Sequence, residues 1–263
     1  MAAHFTKNTK REKKMTHNNN PNKITNKAAA LLLFLCSYII TSPTTTIFVA
    51  GQKSEHAILK IFNDEAEGDS WLNKWDIDDT NVCNPTSYPG VTCNDDNKIT
   101  EIDLHDNKLS GKVTPWIYAL KELTTLGLGD NDLTGGGWDT IADVAEVSEL
   151  GYTLGTKLKS ITLSSNKISS VDGIDALHDG LKELHLTYNK LFGPMPTELF
   201  KLSNLKVLSI SENMITGTID TRLGNLTNLN EFYCYGNKIV GKIPMEVGQL
   251  SKLQILTVST AHT

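Results

Sequence analysis

From Ile99 onward, apolar and polar positions alternate in short stretches that recur along the chain. Ile99, Ile102 and Leu104 are followed by Asn107. Leu123, Leu126 and Leu128 lead to Asn131, and Leu158, Ile161 and Leu163 to Asn166. The pattern returns as Leu181, Leu184, Leu186, Asn189, then Leu205, Leu208, Ile210, Asn213, then Leu229, Phe232, Cys234, Asn237. A seventh set, Leu253, Leu256 and Val258, has Ala261 where the others have asparagine. Successive asparagines are 24, 35, 23, 24 and 24 residues apart. Alternation of this kind predicts a short strand with one face inward. One such unit cannot bury its apolar face, so the units must stack as rungs. The asparagine stands in an apolar register and must be hydrogen-bonded, most simply to backbone of the turn in its own and the adjacent rung. Cys234 takes an inward leucine position and reads as a small core residue, not a reactive thiol.

Two segments depart from the repeat. The step from Asn131 to Asn166 is 11 residues longer than the usual 24-residue step. Within it, Ile141, Val144 and Ala145 have helical spacing and predict a longer outer helix. Its Gly135-Gly136-Gly137 run is followed by no Gly-Lys-Ser/Thr, so it is not a phosphate loop. Before the repeats, residues 56–62 have helical apolar spacing and lead to Trp71, Trp75, Cys83, Tyr88-Pro89-Gly90 and Cys93.

The repeats match the leucine-rich-repeat signature. Lys238-Ile239-Val240-Gly241-Lys242-Ile243-Pro244 resembles the plant-type continuation x-Leu-x-Gly-x-Ile-Pro. Phe192-Gly193-Pro194-Met195-Pro196 and Thr216-Gly217-Thr218-Ile219-Asp220 resemble it in part, and the rung after Asn166 lacks both glycine and proline. The segment from Ser54 to Cys93 resembles the N-terminal cap of plant-type receptor ectodomains. The resemblance implies an α/β solenoid: a right-handed superhelix with short parallel strands on the concave face, capped by a helix and a disulfide loop. It divides the chain into a head (1–51), a cap (52–97) and repeats (98–263). Relatives of this kind bind peptides, glycans, wall enzymes or partner receptors.

On that architecture, residues between the inward ones form columns across the concave face. The first reads Glu101, Thr125, Ser160, Glu183, Val207, Glu231, Ile255. The second reads Asp103, Gly127, Thr162, His185, Ser209, Tyr233, Thr257, and the third His105, Gly129, Ser164, Thr187, Ser211, Tyr235, Ser259. The candidate ligand-binding residues are Glu101, Asp103, His105, Glu183, His185, Tyr188, Tyr233 and Tyr235. The tyrosines carry most of the case, because their rings are rigid and amphipathic. Lys159, Lys182 and Lys206 stand on three successive rungs and read as a solvated flank.

Charge adds a location. The chain has 263 residues with 25 basic and 30 acidic side chains. Residues 1–27 hold seven basic residues and one acid, residues 28–51 no charge, which leaves 18 basic and 29 acidic residues from Gln52 on. An acidic body gives no case for nucleic acid. The basic head and the 13-residue apolar run Ala28–Ile40 read as a signal peptide cut before Gln52. The apolar stretch also reads as an uncleaved anchor from Ala28 to Ala50, and Met15 is an alternative start within the long basic head. An oxidising compartment follows, so a Cys83–Cys93 disulfide is expected, with two free thiols as the alternative. Asn225-Leu226-Thr227 is a glycosylation sequon at a rung boundary.

The sequence shows no catalytic set, metal site or cofactor motif. Asp95-Asp96 reads as a polar turn, and Asp64, Glu65 and Glu67 as the solvated face of the cap helix. The expected function is non-catalytic recognition of a protein, peptide or glycan on the concave face, in signalling or defence. The alternatives are an inhibitor of wall-degrading hydrolases and the ectodomain fragment of a receptor kinase. The seventh rung stops at Ala261-His262-Thr263 without an outer crossing. Its apolar edge then implies a truncated repeat protein, or cover by a co-receptor or another edge partner.

Overall fold

A computed structural model of the chain describes residues 53–138, 157–177 and 180–258. The head, the helix expected over Ile141–Ala145, and Ser259–Thr263 lie outside the described residues. Among the described residues, no helix is long and apolar enough to cross a membrane.

Helix α1 (Glu55–Glu65) turns Ile58, Leu59 and Phe62 inward. Ser54 caps it by accepting the Ala57 N–H, which satisfies one of the free donors of the first turn. Glu67 lies past the helix end, in a left-handed turn at φ 55°, so it is not on the helix face as expected. Phe62, Trp71, Trp75 and Tyr88 pack at ring separations of 5.0–5.9 Å. Each polar tip is satisfied: Trp71 donates to the Ala66 carbonyl, Trp75 to Pro89 and Tyr88 to Asp79. The Cys83–Cys93 disulfide closes this cap with a Cα separation of 5.8 Å.

Strand β1 (Val91–Cys93) pairs antiparallel with β2 (Ile99–Asp103), which begins the stack. Parallel strands follow: β3 (Thr125–Gly127), β4 (Ser160–Thr162) and β5 (Glu183–His185). After β6 (Phe192–Pro194) come β7 (Val207–Ser209), β8 (Met214–Gly217), β9 (Glu231–Tyr233), β10 (Lys238–Ile239) and β11 (Ile255–Thr257). One sheet runs β1-β2-β3-β4-β5-β7-β9-β11, with register Glu101↔Thr125↔Ser160↔Glu183↔Val207↔Glu231↔Ile255. The inward leucine column beside it is wholly buried from Ile102 to Phe232. Rungs return along the outer side through short 3₁₀ turns such as Thr197–Lys201, Thr221–Asn225 and Met245–Gln249.

The asparagines tie successive rungs. Asn166 Nδ2 donates to Leu128 of the rung before and to Leu163 in its own turn, and its Oδ1 accepts the Leu133 N–H. Asn189, Asn213 and Asn237 repeat the arrangement. Asn131 accepts the Asn107 and Leu109 N–H groups, while Asn107 turns back to the cap backbone at Asn73. Cys234 is buried, its thiol against the Thr257 carbonyl, and burial pushes its pKa up to about 12.

The plant-type continuation builds a second, lateral sheet of β6, β8 and β10. Phe192 pairs with Met214, and Thr216 with Lys238. Among the described residues, rungs one and two contribute the parallel bridge Lys112–Gly135. The triple glycine seats Trp138, which is buried and donates to the Ser170 carbonyl. Gly137 turns at φ 79°, where a Cβ would come 2.5 Å from the Val113 carbonyl oxygen.

Candidate ligand-binding face

Strand alternation places each candidate residue. Inward leucines fix the core side, so their neighbours in β2, β5, β7 and β9 form the opposite face. The structure divides the eight candidates into two groups. Glu101, Asp103 and His105 lie on and after β2. Glu183 and His185 lie on β5, with Tyr188 in the turn beyond; Tyr233 lies on β9, with Tyr235 after it. Strands β3 and β4, with Thr125, Gly127, Ser160 and Thr162, separate the groups.

In the first group, His105 reaches across to the next rung. His105 Nε2 stands 2.8 Å from the Asp130 carboxylate, and the His105 N–H donates to Asp103. Both side chains lean over the second rung, where glycine makes room: a Cβ at Gly127 would come 2.9 Å from Asp103 Oδ1, and one at Gly129 equally close to His105 Nδ1.

The second group surrounds rung five. The register sets Val207 between Glu183 and Glu231, and Ser209 between His185 and Tyr233. Tyr233 donates its hydroxyl to Glu231 Oε2 at 2.7 Å, and this bond raises the tyrosine pKa above its usual value. Glu183 accepts the Ser160 hydroxyl at 3.0 Å. His185 is half-buried, and burial lowers its pKa although Glu183 and Glu231 pull it back up. The imidazole is therefore held toward its neutral form. Tyr188 and Tyr235 are exposed.

Two residues differ from the column reading. Ser211 was expected to point out and is wholly buried; Ser209, also an outward position, is nearly so. The Ser209 hydroxyl pairs with that of Thr187, whereas the Ser211 hydroxyl has no partner. Tyr188 occupies a further column, Asp106, Asp130, Ser165, Tyr188, Glu212, Gly236, in which every residue has positive φ. The candidate list also missed Asp130 and Glu231. Glu231 could have been found from the column containing Glu183, because carboxylates two rungs apart flank the residue between. Lys159, Lys182 and Lys206 are exposed, at the entry to their strands. Asn225 is exposed at the end of the Thr221–Asn225 turn. Among the described residues, no three histidine, cysteine or acidic side chains gather as a metal site.

The family model "Leucine Rich repeats (2 copies)" matches residues 203–252, and "Leucine Rich Repeat" matches 180–202. Residues 180–252 carry leucine-rich repeats, and the fold is a leucine-rich-repeat solenoid. Among curated proteins it is 39% identical over 69 residues to a probable inactive leucine-rich repeat receptor-like protein kinase of Arabidopsis thaliana, a match covering 26% of this chain and 10% of that one. It is 31% identical over 96 residues to Leucine-rich repeat protein 1 of the same plant, covering 36% of this chain and 42% of that one. The chain thus spans less than half the length of these relatives. Among solved structures, the leucine-rich-repeat solenoid superposes on the PEPR1–AtPEP1 complex with TM-score 0.63 at 28% identity, over 80% of this chain and 28% of that one. It superposes on the Arabidopsis receptor kinase HAESA, solved with the peptide hormone IDA and the co-receptor SERK1, with TM-score 0.65 at 25% identity, over 79% of this chain and 34% of that one.

Proposed function

We propose that the chain is a non-catalytic recognition module, secreted or at the cell surface, that binds a peptide or protein segment on its concave face around rung five. The observation that carries this is the gathering of Tyr188, Tyr233 and Tyr235 with Glu183 and His185 around the short side chains of β7. Aromatic anchors beside a fixed polar set are the make-up of binding hot spots. The strands and the asparagine ladder hold this set in place, so little ordering accompanies binding. HAESA was solved with a peptide hormone and a co-receptor, which supports a peptide ligand and a second protein partner here. Asn225, exposed within its sequon, is a glycosylation site on the outer turn.

The test immobilises the full chain and passes a random library of acetylated decapeptides over it. Retained peptides should lose affinity by about 2 kcal/mol or more in the folded Tyr233→Ala/Tyr235→Ala variant. Retention by that variant at full strength moves the site off this face.

The receptor-like kinase relative favours a second reading, in which these repeats belong to the ectodomain of a longer receptor. Sequencing of the transcript decides it. A kinase coding region in frame supports the reading, and a stop codon after Thr263 removes it.

A further inference from the structure

Rung five differs from the rungs on either side of it. Its three outward positions are Val207, Ser209 and Ser211, all short. Rung four presents Glu183, His185 and Thr187, and rung six presents Glu231, Tyr233 and Tyr235. The flanking strands β5 and β9 are two strand steps apart, ~9.6 Å at about 4.8 Å per step, which is room for one extended chain above β7. The result is a groove that opens over half-buried Val207 and closes toward Ser209 and Ser211, which are buried.

The ends of the groove have different chemistry. At one end Val207 is half-buried, an apolar floor between two carboxylates in register with it. Hydrogen bonds from Ser160 and Tyr233 orient those carboxylates, and each keeps further acceptor capacity. At the other end Ser209 and Ser211 are buried, so the Ser211 hydroxyl lies out of reach of an occupant. Among the described residues, the nearest lysine on rung five is Lys206, the neighbour of Val207, whose side chain alternates away from it and is exposed.

We propose that this groove takes an extended peptide bearing a lysine or arginine, with the cationic end over Val207 between Glu183 and Glu231. Charge complementarity selects this occupant: two carboxylates over an apolar floor suit a cation on an aliphatic stem. The proposal rests on the concave face being the recognition surface.

The decapeptide library on the immobilised full chain is the probe. Retained sequences should carry lysine or arginine at one fixed position and few acids. Replacing that residue by norleucine should weaken binding about tenfold or more. Glu183→Gln/Glu231→Gln should do the same, while the charge-matched Asp95→Asn/Asp96→Asn leaves binding unchanged. Val207→Lys, which places a cation in the groove, should abolish retention and decides the matter if the double glutamine variant does not fold. Peptides that depend on Tyr233 and Tyr235 but are indifferent to norleucine, to the glutamines and to Val207→Lys would overturn the cationic site and leave the recognition face standing. No retained peptide at all would remove both.

Discussion

Replacing Asn213 by alanine removes one rung tie, and the structure says which groups are then left unsatisfied. Asn213 Nδ2 donates toward Leu186 O at 2.9 Å, Ile210 O at 3.1 Å and Ser211 O at 2.9 Å, and Oδ1 accepts the Leu191 N–H at 2.9 Å. An amide has two N–H donors, so the three carbonyls share them. Those carbonyls keep other partners: Asn189 reaches Leu186 O, Asn237 reaches Ile210 O, and the Tyr188 N–H reaches Ser211 O. Among the described residues the Leu191 N–H has only Asn213, and Leu191 is buried. One orphaned buried donor costs about 1–3 kcal/mol, and the weakened carbonyl bonds bring the total to about 2–4 kcal/mol. Asn107 is buried as well, but its partner is the backbone of exposed Asn73, where water can take over. Asn107→Ala should therefore cost about 1 kcal/mol or less. Urea unfolding of both variants gives the two losses, and amide exchange at Leu191 should speed up in the first. Equal losses for the two variants, or a protected Leu191 amide in Asn213→Ala, would refute the assignment of cost to the orphaned donor.

Three further outcomes follow from the cap and core. Cys83→Ser opens the cap loop and should lower stability by about 2–5 kcal/mol, measured by thermal unfolding under non-reducing conditions. Cys234, with its thiol pKa pushed up to about 12 by burial, should resist iodoacetamide in the folded chain and react only in denaturant; labelling of the native chain would contradict its core placement. Tyr88 is raised to about 12 by burial and then by Asp79, Asp76 and Asp78. An unfolded tyrosine ionises near 10, so this contribution is complete below about pH 10 and is lost as pH rises toward 12. Tm followed through that window should fall, and fall less in Tyr88→Phe.

The main sheet was legible in the sequence because its signal is periodic. Six asparagines behind the same apolar spacing fix the strand register, and Glu101 through Ile255 align as the columns imply. The lateral sheet was harder to see. Strand β6 contains Gly193 and Pro194, residues that argue against a strand when read one segment at a time. The burial of Ser211 was also out of reach, because alternation alone places it on the outward face. The left-handed column had a faint signal in Asp106, Asp130 and Gly236, residue types that favour turns. Tyr188 and Glu212 hid it, because side chains of that size are uncommon at positive φ. The two concave groups could be listed from the columns. Their internal bonds, His105 to Asp130 and Tyr233 to Glu231, needed the geometry.

Amide exchange of the full chain, with and without a peptide retained from the decapeptide library, tests most directly that the concave face recognises ligand. Binding should slow exchange in residues 183–188, 207–212 and 231–236 and leave α1 and the lateral sheet as they were. Protection confined to β6, β8 and β10, or to the cap, with rungs four to six unchanged, would contradict the account.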